Sequence, residues 1–136
     1  MADHLVLDAF ALLAYLQEEP GHQRVRSLLE DAASERVSLS MCAVNLGEVL
    51  YWLERRRGAA AALALAANVH ELPVHLADAD LVLTISAARF KASHNIALAD
   101  CFAAALAQRL DAAVLTGDPD FQRLEPAVAV EWLTAD

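Results

Sequence analysis

The chain of 136 residues carries 10 Lys and Arg against 19 Asp and Glu, a net charge of −9, with 57% hydrophobic residues and few Gly or Pro. That length fits one domain over residues 1–136, and the composition excludes a disordered or collagen-like chain. The acidic balance counts against a nucleic-acid binder that works by charge alone, but does not exclude a nuclease whose carboxylates meet phosphate through a metal ion.

His4 to Leu7 reads as a short buried strand ending in Asp8, and Ala9 to Leu16 follows directly as a helix. Glu18-Glu19-Pro20-Gly21 breaks the chain before an amphipathic helix, His22 to Ala33, that turns Val25, Leu28, Leu29 and Ala32 inward. Val37 to Leu39 is expected as a second strand, with Ser40 capping a helix from Met41 to Arg57. Gly58 divides that helix from an alanine-rich one, Ala59 to Asn68. Leu72 to Leu76 predicts a third strand, an edge or irregular one because Pro73 lacks an N–H, and Asp78 predicts the N-cap of a helix reaching Ala92. Ile96, Ala99, Ala103, Leu106 and Leu110 recur at helical intervals, so a helix carries Asp100 and ends at Asp111. Ala113 to Thr116 is a strand stopped by Gly117 and Pro119, with Asp118 and Asp120 in the turn, and Val128 to Trp132 is the last strand. Strands alternating with helices predict an α/β fold, its parallel or mostly parallel sheet covered on both faces.

Cys42 and Cys101 lack metal or redox spacing and read as small core residues of a reduced, cytoplasmic protein. The N-terminus has no basic region of a signal peptide, and no stretch reaches the roughly 18 apolar residues a membrane span needs.

The chemistry concentrates in four acids. Asp8 and Asp118 follow short parallel strands, where α/β proteins place their ligand sites. Glu48 lies among Val44, Tyr51 and Trp52 on its helix, a setting in which a carboxylate is normally paired or bound to metal. Asp100 borders the apolar side of its own helix. Each has a plainer reading: N-cap for Asp8, turn residue for Asp118, dipole-favoured first-turn acid for Asp100, and for Glu48 an ion pair with an arginine such as Arg55 or simple exposure at a cleft rim. If they converge, they repel one another unless a cation is present, and an all-oxygen donor set points to Mg²⁺ or Mn²⁺, not zinc. The five histidines share no ligand spacing. Other chemistries fit poorly: there is no Gly-rich phosphate loop and no activated nucleophile. The one lysine, Lys91, lies outside any receiver-like context.

The segments Leu7-Asp8-Ala9-Phe10, Asn45-Leu46-Gly47-Glu48-Val49, Leu98-Ala99-Asp100-Cys101-Phe102 and Leu115-Thr116-Gly117-Asp118-Pro119-Asp120-Phe121 span nearly the whole chain. In that order the chain resembles the PIN-domain ribonucleases, specifically the VapC-type toxins of bacterial toxin–antitoxin pairs. The resemblance implies a PIN-like three-layer α/β/α sandwich with a short, mostly parallel central sheet. It implies Asp8, Glu48, Asp100 and Asp118 as the catalytic, metal-binding set, with Thr116, Asp120 and Asn45 in support. It further implies a Mg²⁺- or Mn²⁺-dependent endoribonuclease that cleaves structured RNA such as tRNA or rRNA by metal-activated water. Its partners would be a cognate antitoxin and a second copy in a homodimer, with no membrane involved. Arg55, Arg56, Arg57, Arg89 and Lys91 are the candidates for RNA contact, although the arginine triplet also suits a solvated helix end. The alternative is a catalytically idle PIN-like module that binds RNA or protein, and intact acids at all four positions argue against it. A metal-dependent phosphatase or DNA-directed nuclease on a similar acidic site is a third possibility.

Overall fold

Five short runs form one sheet: β1 (His4–Leu7), β2 (Ser38–Cys42), β3 (His75–Ala77), β4 (Ala113–Thr116) and β5 (Val130–Trp132). In the computed structural model, which describes residues 3–134, they lie in the order β3-β2-β1-β4-β5. All four pairings are parallel, so the expected mostly parallel sheet is wholly parallel among the described residues. The central position of β1 follows from its sequence, because Leu5, Val6 and Leu7 are apolar on both faces and all are buried.

Among the described residues six α-helices cover the sheet: α1 (Ala9–Leu16), α2 (His22–Ala33), α3 (Ala43–Arg57), α4 (Ala59–Asn68), α5 (Leu81–Ser93) and α6 (Leu98–Leu110). The twofold alternation of strand side chains sorts the core. Val6 and Val114 pack with α5 and α6, whereas Leu5, Leu7 and Leu115 pack with α1 and α2. A third cluster, built on Leu12, Met41, Val49, Leu53 and Ala62, ties α1 to α3 and α4. The layers are therefore helix, sheet, helix, the α/β/α arrangement expected.

Helix α6 is buried from Cys101 to Ala107. Its alanines lose no side-chain entropy on burial and let the backbone lie close to the sheet. The helix ends where Asp111 takes a left-handed conformation, φ 51°, and the chain turns directly into β4. Asp80 caps α5 by accepting the Leu83 N–H at 2.8 Å and takes both guanidinium nitrogens of Arg109 at 2.8 and 3.0 Å, clamping α5 to α6.

Several boundaries differ from expectation. The second strand runs over Ser38–Cys42, and α3 begins at Ala43 with Cys42 as its N-cap. Ser40 does not cap the helix: it is buried in β2, and its Oγ meets His4 Nε2 at 2.9 Å. Parallel pairing to β1 and β3 extends the strand where local propensity alone suggests a helix start. The third strand begins at His75, because Val69–Glu71 forms a 3₁₀ turn and Pro73 offers no donor. Helix α5 is capped by Asp80 and starts at Leu81, not at Asp78, and α6 starts at Leu98. The last strand begins at Val130, since Val128 is held by a bond from its N–H to the Leu124 carbonyl.

Candidate metal centre

The strand order brings the two strand-end acids together. β1 and β4 are parallel neighbours with Leu7 opposite Leu115, so Asp8 and Asp118 emerge at the same sheet edge. Helix α6 sets Asp100 in its first turn, and α3 presents Glu48 one turn after Asn45. All four line one cavity of about 430 Å³.

A hydrogen-bond chain fixes the sheet side. Asp8 is 3% exposed; its Oδ1 accepts the Ala11 N–H at 2.9 Å, capping α1, and its Oδ2 accepts the Thr116 hydroxyl. Thr116 Oγ1 in turn accepts the Asp118 N–H at 3.0 Å, and Asp118 Oδ1 accepts the Asp120 N–H at 2.9 Å. The N-cap and turn roles that stood as plain readings of Asp8 and Asp118 are thus real, and they coexist with placement at the cavity. Thr116 joins the two acidic strand ends through one hydroxyl.

The helix side is held by Asn45, which is fully buried. Its Nδ2 donates to the Ala99 carbonyl at 3.0 Å and leans toward Glu48 Oε1 at 3.4 Å, linking α3 to the residue before Asp100. Its Oδ1 meets no donor among the described residues. Glu48 has no ion-pair partner among them, so the expected alternative of a bridge to Arg55 is not formed.

Burial dominates the electrostatics. Desolvation pushes Asp8 up to about 7, against the lowering effect of its bonds from Thr116 and Ala11, and the charges of Asp100 and Asp118 push the same way. Asp100 is likewise pushed up to about 7 by burial, then by Asp118, Glu48 and Asp120. Glu48 is raised by burial, a shift that Asn45 moderates. Carboxyl oxygens of Asp100, Asp118 and Asp120 lie within 4.8 Å of one another. Asp120 therefore stands with Asp100 and Asp118, while Asp8 and Glu48 line the same cavity from the strand end and α3. Among the described residues no histidine or cysteine joins this cluster, so the donors are hard oxygens alone.

The basic candidates separate. Arg56 lines the cavity, with its guanidinium 4.5 Å from the centroid of the Trp52 ring. Arg55 faces a shallow groove between α3 and α4, and Arg57 and Arg89 are exposed and do not line the cavity. Lys91 Nζ donates to the Ile96 carbonyl at 2.6 Å and closes the loop between α5 and α6. Two aromatic residues not singled out from sequence, Phe10 and Trp52, also line the cavity. The spacing of Glu48, Trp52 and Arg56, four residues each, was the available signal that they share a face.

The PIN domain family profile matches residues 5–125. No curated protein is similar enough in sequence to count as a match. Among solved structures, the chain is similar to VapC20 of Mycobacterium tuberculosis, described as a sarcin–ricin loop cleaving toxin: identity is 21%, coverage 89% of this chain and 95% of that one, and the TM-score 0.73. It is similar to DNA-bound VapBC of Salmonella typhimurium at 19% identity, covering 96% and 98%, with TM-score 0.75. It is also similar to VapBC-1 of nontypeable Haemophilus influenzae at 17% identity, covering 96% and 98%, with TM-score 0.69. At these identities the likeness is one of fold.

Proposed function

This chain belongs to the PIN domain family, and on that premise we propose that it is an endoribonuclease dependent on Mg²⁺ or Mn²⁺, the VapC-type toxin of a toxin–antitoxin pair. The observation that carries this reading is the single cavity lined by Asp8, Glu48, Asp100 and Asp118. We assign those four acids to the metal and the reaction, with Asp120 beside Asp100 and Asp118 as a further ligand candidate, in one domain that takes in the whole chain.

A divalent cation fits the residues present. The donors are carboxylate oxygens without nitrogen or sulfur, the chemistry hard cations select. Two of the acids are held near neutrality by burial and mutual repulsion, a cost that a bound cation relieves. When bound, the ion would lower the pKa of a water and stabilise charge on the scissile phosphate. The protein's own part is positioning. Thr116 orients Asp8 and steadies the backbone of Asp118; Asn45 keeps Glu48 and the first turn of α6 in register. Burial keeps the Asp8 carboxylate out of bulk water.

Structured RNA such as tRNA or rRNA is the proposed substrate in the cytoplasm, and among the described residues no helix is long and apolar enough to cross a membrane. The net charge of −9 suits a basic segment of a cognate antitoxin as inhibitor. Leu81, Val82 and Ile85, exposed along the start of α5, offer an apolar face for a second copy.

Purified chain shown free of antitoxin should cut total tRNA or rRNA into discrete fragments with Mg²⁺ or Mn²⁺. The fragments should vanish with EDTA and with Asp100→Asn. Cleavage that survives both treatments overturns the metal-site assignment, and no cleavage with either ion overturns the ribonuclease reading.

A further inference from the structure

Helix α3 carries Glu48, Trp52 and Arg56 one above another, and all three line the cavity of the acids. Arg56 Cζ sits 4.5 Å from the centroid of the Trp52 ring, within cation–π range, yet the Trp52 residue remains 37% exposed. On the α1 side Phe10 is 42% exposed, its ring against Gly117, where a Cβ would come within 2.3 Å of Phe10 Cε1. The absence of a side chain at Gly117 lets this ring occupy the mouth of the site. Among the described residues that line the cavity Arg56 is the one cation, against Asp8, Glu19, Glu48, Asp100 and Asp118.

We propose that Trp52, with Arg56 packed on it, is a base-stacking subsite that holds an unpaired nucleotide of the substrate and so sets the neighbouring phosphate against the acids. The proposal rests on the ribonuclease reading and deepens it. A flat ring carrying a guanidinium offers what a nucleobase and its phosphate need together: a π-face for stacking and a planar, permanently charged donor for phosphate oxygens. Its place in the acidic cavity matters, because a phosphodiester approaching five carboxylates needs a fixed positive partner on the protein. A base inside a duplex has both faces occupied by its neighbours, so only an unpaired base can use this surface. Trp52 and Arg56 are accordingly positioning residues that favour scission within loops and single strands.

Two measurements test this. On a single-stranded oligoribonucleotide that the parent protein cleaves, Trp52→Ala should raise KM roughly 5- to 150-fold, the range of one lost base–aromatic stack. Trp52→Phe, which keeps a π-face, should recover most of the loss, and each variant is assayed well below its own melting transition, since truncating a ring only 37% exposed also costs stability. Unchanged KM in Trp52→Ala overturns the subsite; if Asp100→Asn still abolishes cleavage in the same assay, the nuclease reading stands alone. The second measurement needs no cleavage. Trp132→Phe leaves Trp52 as the sole tryptophan, and its fluorescence should be quenched saturably by AMP in the presence of Mg²⁺ but not by ribose 5-phosphate. Absence of quenching by AMP overturns the proposal and leaves the exposed aromatics to a protein partner.

Discussion

Asp8 serves two opposed demands. As the N-cap of α1 and acceptor for Thr116 it is locked in the interior, yet burial makes its charged form unfavourable and lifts it to about 7. An acid whose folded pKa lies above its unfolded value imposes no ionisation cost at pH below about 4. The full cost, a few kcal/mol, appears above about pH 7. The metal-free protein should therefore lose stability through this residue as pH rises across that window, and a divalent cation should restore more of it at pH 8 than at pH 5. Asp8→Asn keeps the cap and removes the charge. Without metal it should melt several degrees above the parent at pH 8, converge with it near pH 4, and have no nuclease activity. Thermal melts of both proteins across pH check this; a difference that does not change with pH would mean that Asp8 is neutral or solvated throughout.

At the scale of the element, α3 carries Glu48, Trp52 and Arg56 on the cavity, with a glycine in its interior, Gly47, between Asn45 and Glu48. A Cβ built there meets nothing within 4 Å, so Ala should fit without strain. Removing an interior helical glycine should stabilise by about 0.5–1 kcal/mol, raising Tm by a few degrees with cleavage unchanged. A lower Tm by circular dichroism would show that the helix needs flexibility at this turn. The same helix shows what sequence can and cannot reveal. Elements with one unbroken pattern, β1, α1, α2, α4 and β4, lie where their residues alone put them. The start of α3 does not, because Ser40 looks like a cap until His4, 36 residues away in sequence, takes its hydroxyl. The sequence points to Asp78 as the cap of α5, and Asp80 takes that place because its carboxylate is also held by Arg109, 29 residues on. The acids were legible as misfits, carboxylates at strand ends or on apolar helix faces. Their convergence depended on the neighbouring of β1 and β4, which no local pattern contains. Trp52 reads from sequence only as an apolar helix neighbour of Glu48, because an aromatic on a half-apolar helix is ordinary until the fold sets it on the cavity of the acids.

At the scale of the whole molecule, the charge distribution limits how RNA can be held. A protein that binds nucleic acid by releasing counterions presents many cations, and its affinity falls by about 10³–10⁵ between 50 and 200 mM salt. This chain has a net charge of −9, one arginine on the cavity of the acids, and a lysine turned into a loop. Single-strand contacts contribute a slope of roughly −0.7 per phosphate neutralised, so one such contact predicts less than about a threefold loss over that range. Repulsion from the acidic surface works in the opposite direction, being strongest at low salt, where screening is least. At constant free Mg²⁺, KM for a single-stranded RNA should therefore be nearly flat against NaCl, and Arg56→Ala should flatten it further while raising its absolute value. A steep slope would mean that RNA lies along a basic surface this chain does not present alone, so that the productive species is an assembly bringing the exposed Arg55, Arg57 and Arg89 of more than one copy to the same strand. Salt dependence thus distinguishes a substrate held by metal and stacking at one cavity from one held by pooled charge.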